Sequence, residues 1–173
     1  MLALLKLLQS LVKTLHSDGA PWQVATGLAL GAALGLTPIA NVHNVLVLAV
    51  LMLLNVSFGA GLLGFALFTP LGFALDPLFD RVGRRLLLET PSLQPLWTEW
   101  YNSAWLPWTN FNNTVVLGSV VVWAVLFLPL TGLAWWFVLL YRRSLGARIE
   151  QSPVMRAIKA SKLYNVYRWF DPE

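Results

Sequence analysis

The fold class predicted is an all-α polytopic membrane protein, with broken or re-entrant Gly-rich helices, one long spanning helix and interfacial amphipathic helices. Three observations predict it. Apolar residues make up 57% of the 173-residue chain and charged residues 12%, about half the charged share of soluble domains. Gly19 through Leu75 carries no Asp, Glu, Lys or Arg, and His43 is its only ionisable side chain. Val115 to Tyr141 is a second uncharged run, long enough for one crossing, which takes ~20 residues. A single membrane domain over 1–173 follows. Its parts are an interfacial helix 1–17, a broken apolar region 19–75, an interfacial aromatic segment 76–113, a spanning helix 114–141 and a basic tail 142–173.

In residues 1–17, Leu4, Leu7, Leu8, Leu11, Val12 and Leu15 share one helical face. Lys6, Gln9, Ser10, Lys13, His16 and Ser17 share the other, the pattern of a helix lying on a membrane. A signal peptide is the rival reading; Lys6 and Lys13 interrupt its apolar region, and no small-residue cleavage site follows. Pro21 suits a first helical turn, and the segment to Thr37 is ~25 Å long as a helix, marginal for a ~30 Å hydrocarbon core. Gly27, Gly31 and Gly35 recur at every fourth residue, as do Ala25, Ala29 and Ala33. Such stripes let a neighbouring helix approach closely.

The pattern breaks at Thr37-Pro38-Ile39-Ala40-Asn41-Val42-His43-Asn44. Irregular polar backbone at membrane depth survives only where protein or a wet cavity surrounds it. Asn44 to Leu54 is again too short to cross alone; Asn55 and Ser57 interrupt, and Phe58 to Leu75 follows. Asp76-Pro77 then reads as an N-cap and a first-turn proline, opening a short helix to about Glu89. Pro91 to Asn113 is irregular and aromatic, with Trp97, Trp100, Tyr101, Trp105, Trp108 and Phe111. Amphipathic rings of this kind sit at lipid–water boundaries; a carbohydrate-binding strip would share the composition. Asn110, Asn112 and Asn113 precede the spanning helix and suit N-capping. Asn112-Asn113-Thr114 also meets the N-glycosylation pattern, a match that carries meaning only in a secreted chain, and capping is the preferred reading.

Seven of the twelve Lys and Arg lie from Arg142 to Arg168, which places the C-terminus in the cytoplasm. Arg81, Arg84 and Arg85 then fall on the disfavoured side. With Lys6 and Lys13 also inside, residues 21–75 cross an odd number of times. A re-entrant hairpin at 21–54 plus one crossing satisfies this, as do three short crossings.

The absence of cysteine excludes disulfides, thiolate catalysis and zinc–thiolate sites. There is no P-loop, no G-x-S-x-G and no His pair at metal spacing. The chain is therefore expected to have no enzymatic activity, cofactor or metal. The net charge of +4 is too small and too clustered for a nucleic-acid footprint. The candidate functional residues are the polar groups within or beside apolar runs: Asn41, His43, Asn44, Asn55 and Asp76. Asn41, His43 and Asn44 either cap two broken helices or line a hydrated notch that admits a lipid head group. Gly27, Gly31 and Gly35 are the packing residues, and Trp97, Trp100, Trp105 and Trp108 the candidate partner contacts.

Several motifs carry a resemblance. They are Ser17-Asp18-Gly19-Ala20-Pro21-Trp22-Gln23, Gly35-Leu36-Thr37-Pro38 with His43-Asn44, Phe111-Asn112-Asn113-Thr114, and Ala160-Ser161-Lys162-Leu163-Tyr164. In this order the chain resembles an uncharacterised bacterial inner-membrane family related to the domain of unknown function "DUF twenty sixty-two". The family has no assigned activity. The resemblance implies a bacterium with an outer membrane and a neighbouring large, single-anchored, AsmA-like envelope protein that carries lipid. The expectation is a non-enzymatic inner-membrane subunit that docks such a protein and assists phospholipid transfer. A purely structural anchor or assembly factor is the alternative. A small-solute transporter is disfavoured, because no charged residue lies inside the apolar runs to couple ions.

Overall fold

The computed structural model describes residues 19–145, with side chains for 19–143. The expected interfacial helix at 1–17 and the tail beyond Leu145 lie outside the described residues. Every regular element among those described is helical. Helix α1 is Pro21–Leu36, α2 is Val42–Leu53, α3 is Phe58–Leu87, α4 is Gln94–Tyr101 and α5 is Thr114–Leu140. Single 3-10 turns at Pro91–Leu93 and Leu106–Thr109 flank α4.

Local sequence explains most of the boundaries. Pro21 opens α1, and the Ala20 N–H donates to Oε1 of Gln23 at 2.7 Å, occupying one of the donors a helix start leaves unpaired. Pro38 ends α1 by holding Thr37 extended, at φ −100° and ψ 149°. Ser57 caps α3 by accepting from the Ala60 N–H, and Asn113 caps α5 by accepting from Val115 and Val116 N–H. Of the three asparagines expected to cap α5, only Asn113 does so. Asn110 instead makes the left-handed turn before it, at φ 54°, a conformation asparagine tolerates better than most residues.

One boundary differs from expectation. Asp76-Pro77 does not start a helix; α3 runs unbroken for 30 residues through Pro70 and Pro77. Each proline removes one backbone bond, but Phe79 and Gly83 pack on α5 beyond Pro77 and hold the helix past the gap. The expected division at residue 76 is therefore absent from the backbone.

Packing is set by glycine. A Cβ at Gly27 or Gly31 would overlap the carbonyl of Ser57 or Gly61, and one at Gly35 would lie 2.8 Å from the Phe65 carbonyl. Gly64 and Gly72 of α3 meet Leu28 and Gly35 of α1 in the same way. Position 27 thus faces 57–60, and position 35 faces 65–72, so α1 and α3 run parallel. Helix α2 returns the chain between them on the outside, where Leu51 packs on Gly61. Helix α5 runs antiparallel to both. Gly83 abuts Thr114 and Gly118 abuts Phe79 at one end, while Val138 and Tyr141 cluster with Val24 and Ala60 at the other. Trp123 Nε1 donates to the Ala29 carbonyl midway, at 3.0 Å. Two helical stretches, Phe58–Leu87 and Thr114–Arg143, are long and apolar enough to cross a membrane by length and composition. Their outer faces stay exposed, among them Leu62, Leu71, Phe73, Val125, Leu128 and Leu133.

Candidate functional site

The site grows out of the break between α1 and α2. α1 is 16 residues and α2 12, or ~24 Å and ~18 Å, so their hairpin stops well short of the end of α3. Gly72 touches Gly35 and Leu36, which sets the elbow one helical turn before Asp76, the first charge on α3. The break therefore falls where α3 turns from apolar to charged, rather than halfway along its apolar part.

Asn44 holds the elbow together. It is 6% exposed, and its Nδ2 donates to the carbonyls of Pro38 (2.8 Å) and Ile39 (3.3 Å). Its Oδ1 lies 2.7 Å from the Thr37 hydroxyl, which also reaches the Ala33 carbonyl at 2.8 Å. With one hydroxyl proton between two acceptors, Thr37 serves one at a time. Asn41 is 8% exposed; it donates to the Pro38 carbonyl and accepts from Asn110 Nδ2 at 2.6 Å. That last bond ties the elbow to the loop before α5, 69 residues away. Asn41 occupies the N-cap position of α2 but makes no side-chain cap bond. Its amide is turned to Pro38 and Asn110, leaving the first N–H groups of α2 without a side-chain acceptor. His43 is half-buried, and its Nε2 has no partner.

Around this junction lies an open notch of about 540 Å³, lined by Pro38, Ala40, Asn41, Asn110, Asn112, Asn113, Val115 and Val116. Four amide side chains and the first turn of α5 converge there. Uncharged amides supply both donors and acceptors, and helix starts favour anions. The chemistry suits a group carrying an anionic oxygen beside neutral polar atoms.

The expected candidates do not all meet. Asn55 is exposed at the opposite end, where its backbone carbonyl accepts from Gln23 Nε2 at 2.9 Å. Asp76 is half-exposed on α3 and outside the notch lining. The four tryptophans divide into pairs. Trp97 and Trp100 pack inward with Phe111, Leu87 and Leu117, and Trp97 Nε1 donates to the Leu86 carbonyl at 2.9 Å. They are partly buried against the bundle, which leaves less of each ring at the surface than at Trp105 or Trp108. Trp105 and Trp108 are 83% and 73% exposed. Asn110, Asn112 and Asn113, read from sequence only as caps, are the part of the notch that sequence reasoning missed. Their run of three amides in four residues was the available signal.

Among the described residues, every regular element is helical, with two long apolar helices and an amide-lined break between shorter ones. The chain belongs to the bacterial family described as "Uncharacterized protein conserved in bacteria (DUF2062)", which it matches over residues 6–145. It is also similar to an "Uncharacterized protein" of Treponema pallidum (strain Nichols), 29% identical over 160 residues, covering 92% of this chain and 98% of that one. No solved structure matches the chain.

Proposed function

We propose that this protein is a non-enzymatic subunit of the bacterial inner membrane that receives a phospholipid head group at its elbow. In this reading it assists transfer of the lipid to a docked, AsmA-like envelope protein. The observation that carries the reading is the position of the amide notch, at the level where an apolar helix bundle gives way to charge. A phospholipid changes from chains to phosphate at that same boundary. The amide side chains of Asn112 and Asn113 and the first turn of α5 line the notch, and amide donors and the positive end of a helix dipole both suit a phosphate.

The long apolar helices with exposed outer faces favour a membrane setting, since contiguous apolar surface of this extent seeks lipid or protein. The α1–α2 hairpin is short, yet its elbow lies level with Gly72, near the end of the apolar part of α3. In this reading α1 and α2 therefore make two short crossings beside α3. Arg142 donates to the Gly19 carbonyl at 2.9 Å, so both ends of the described chain share one side. The basic tail makes that side cytoplasmic, and the notch then opens to the periplasm. Trp105 and Trp108, beside it, are the surface for the partner. The partner's identity rests on the family resemblance, and its presence there on those exposed rings.

The test uses the full chain with its neighbouring envelope protein in liposomes, measuring transfer of a labelled phospholipid. Ala40 is exposed and lines the notch, so Ala40→Trp fills the space without removing a hydrogen bond. Transfer is expected to be lost while abundance and partner binding persist. Unchanged transfer would remove the lipid role and leave a structural anchor as the better description.

A further inference from the structure

A second cavity, about 580 Å³, is lined by Ile39, Ala40, Asn41, Val42, Val45, Pro107, Trp108 and Asn110. It shares Ala40, Asn41 and Asn110 with the amide notch, so the two spaces meet across the Asn41–Asn110 hydrogen bond. Their linings differ in kind. The notch gathers amides, whereas the second cavity continues along apolar side chains of the elbow and the first turn of α2, under the exposed ring of Trp108. Val45, 65% exposed, marks where this groove joins the outer face of α2.

We infer that the two cavities form one bipartite site for a single glycerophospholipid. Its phosphodiester head lies among Asn41, Asn110, Asn112 and Asn113, and one acyl chain lies along Ile39, Val42 and Val45 beneath Trp108. The inference rests on the head-group reading above and adds the chain-binding half. Continuity with the notch argues for a chain of the same molecule. Size argues against a partner helix: at ~10 Å across with its side chains, a helix would fill this volume within roughly one and a half turns. An extended hydrocarbon chain would run its full length. The Asn41–Asn110 pair then sits where the ester groups pass, and the second N–H of each amide, beyond those given to Pro38 and Asn41, can donate to an ester carbonyl.

The experiment places the full chain in nanodiscs of phosphatidylethanolamine and phosphatidylglycerol. Two photoreactive phospholipids are compared, one labelled on the head group and one in mid-chain, with adducts mapped by mass spectrometry. Chain-label adducts are expected at Ile39, Val42, Val45 and Trp108, and head-label adducts around Asn110 to Asn113. Val45→Trp should lower the chain-label adducts roughly fivefold or more by occupying the apolar groove, and the head-label adducts should fall with them, because one molecule fills both halves. Chain-label adducts spread evenly over α2 and α5 and indifferent to Val45→Trp, with head-label adducts still lost in Ala40→Trp, would overturn the bipartite site and leave the head-group reading standing. Indifference of both labels to both variants would overturn the two together.

Discussion

Single residues decide how closely this bundle packs. Gly31 lies against the Gly61 carbonyl with no room for a methyl group, whereas Gly132 on α5 has nothing within 4 Å of an added Cβ. Gly31→Ala is therefore expected to destabilise the protein by about 1–3 kcal/mol through overpacking. Gly132→Ala should be neutral or stabilising by up to ~1 kcal/mol, the helix-propensity difference. Thermal unfolding in detergent micelles measures both, and equal effects would show that α1 and α3 do not meet through Gly31. The spacing of Gly27, Gly31 and Gly35 made this face readable in advance, because a period of four on a helix always forms one stripe. The partner could not be read. Gly61, Gly64 and Gly72 are unevenly spaced, and α2 intervenes in the chain before α3 returns.

At the scale of elements, α4 shows where composition misleads. Trp97, Trp100, Trp105 and Trp108 have the same chemistry and lie within one short stretch, so nothing local distinguishes those that turn inward. Trp97 stacks on Phe111 at a centroid distance of 6.0 Å and meets Trp100 edge-on at 5.3 Å, and together these rings pin α4 to α3 and α5. Trp97→Ala should cost about 2–3 kcal/mol, below the value for a fully buried aromatic. Trp105→Ala should change stability by no more than ~0.5 kcal/mol. Denaturant titration in micelles distinguishes them, and a comparable loss from both would place Trp105 in a contact it does not make here. The continuity of α3 through Pro77 is a second case. Asp-Pro is a sound start signal by local chemistry, yet Phe79 and Gly83 pack on α5 beyond it, and that tertiary contact holds the helix together past the proline. A second tie lies nearby, where the Thr114 hydroxyl donates to Asp80.

For the whole molecule, the parallel run of α1 and α3 with antiparallel α5 sets the elbow and Arg143 at opposite ends. The chain has no cysteine, so single-cysteine variants report cleanly on sidedness. In the proposed membrane setting, Ala40→Cys should label with an impermeant maleimide only from the periplasmic side. Arg143→Cys and Asn55→Cys, both exposed, should label only from the cytoplasmic side. Labelling of all three from one side would contradict the arrangement of the helices across a bilayer. In that proposed setting, the zigzag of α1, α2 and α3 would give an odd number of passes between residues 21 and 75.

The sequence alone determined the helical class, the long apolar stretches, the small-residue stripe and the break at Thr37 to Asn44. Each follows from periodicity, composition or the chemistry of proline and asparagine, all of which act over a few residues. Only the tertiary structure decided which asparagines meet, which tryptophans remain outside and where along α3 the break comes to rest. Those outcomes depend on contacts between segments far apart in the chain, such as Asn41 with Asn110. No local pattern encodes the register in which one helix lies against another.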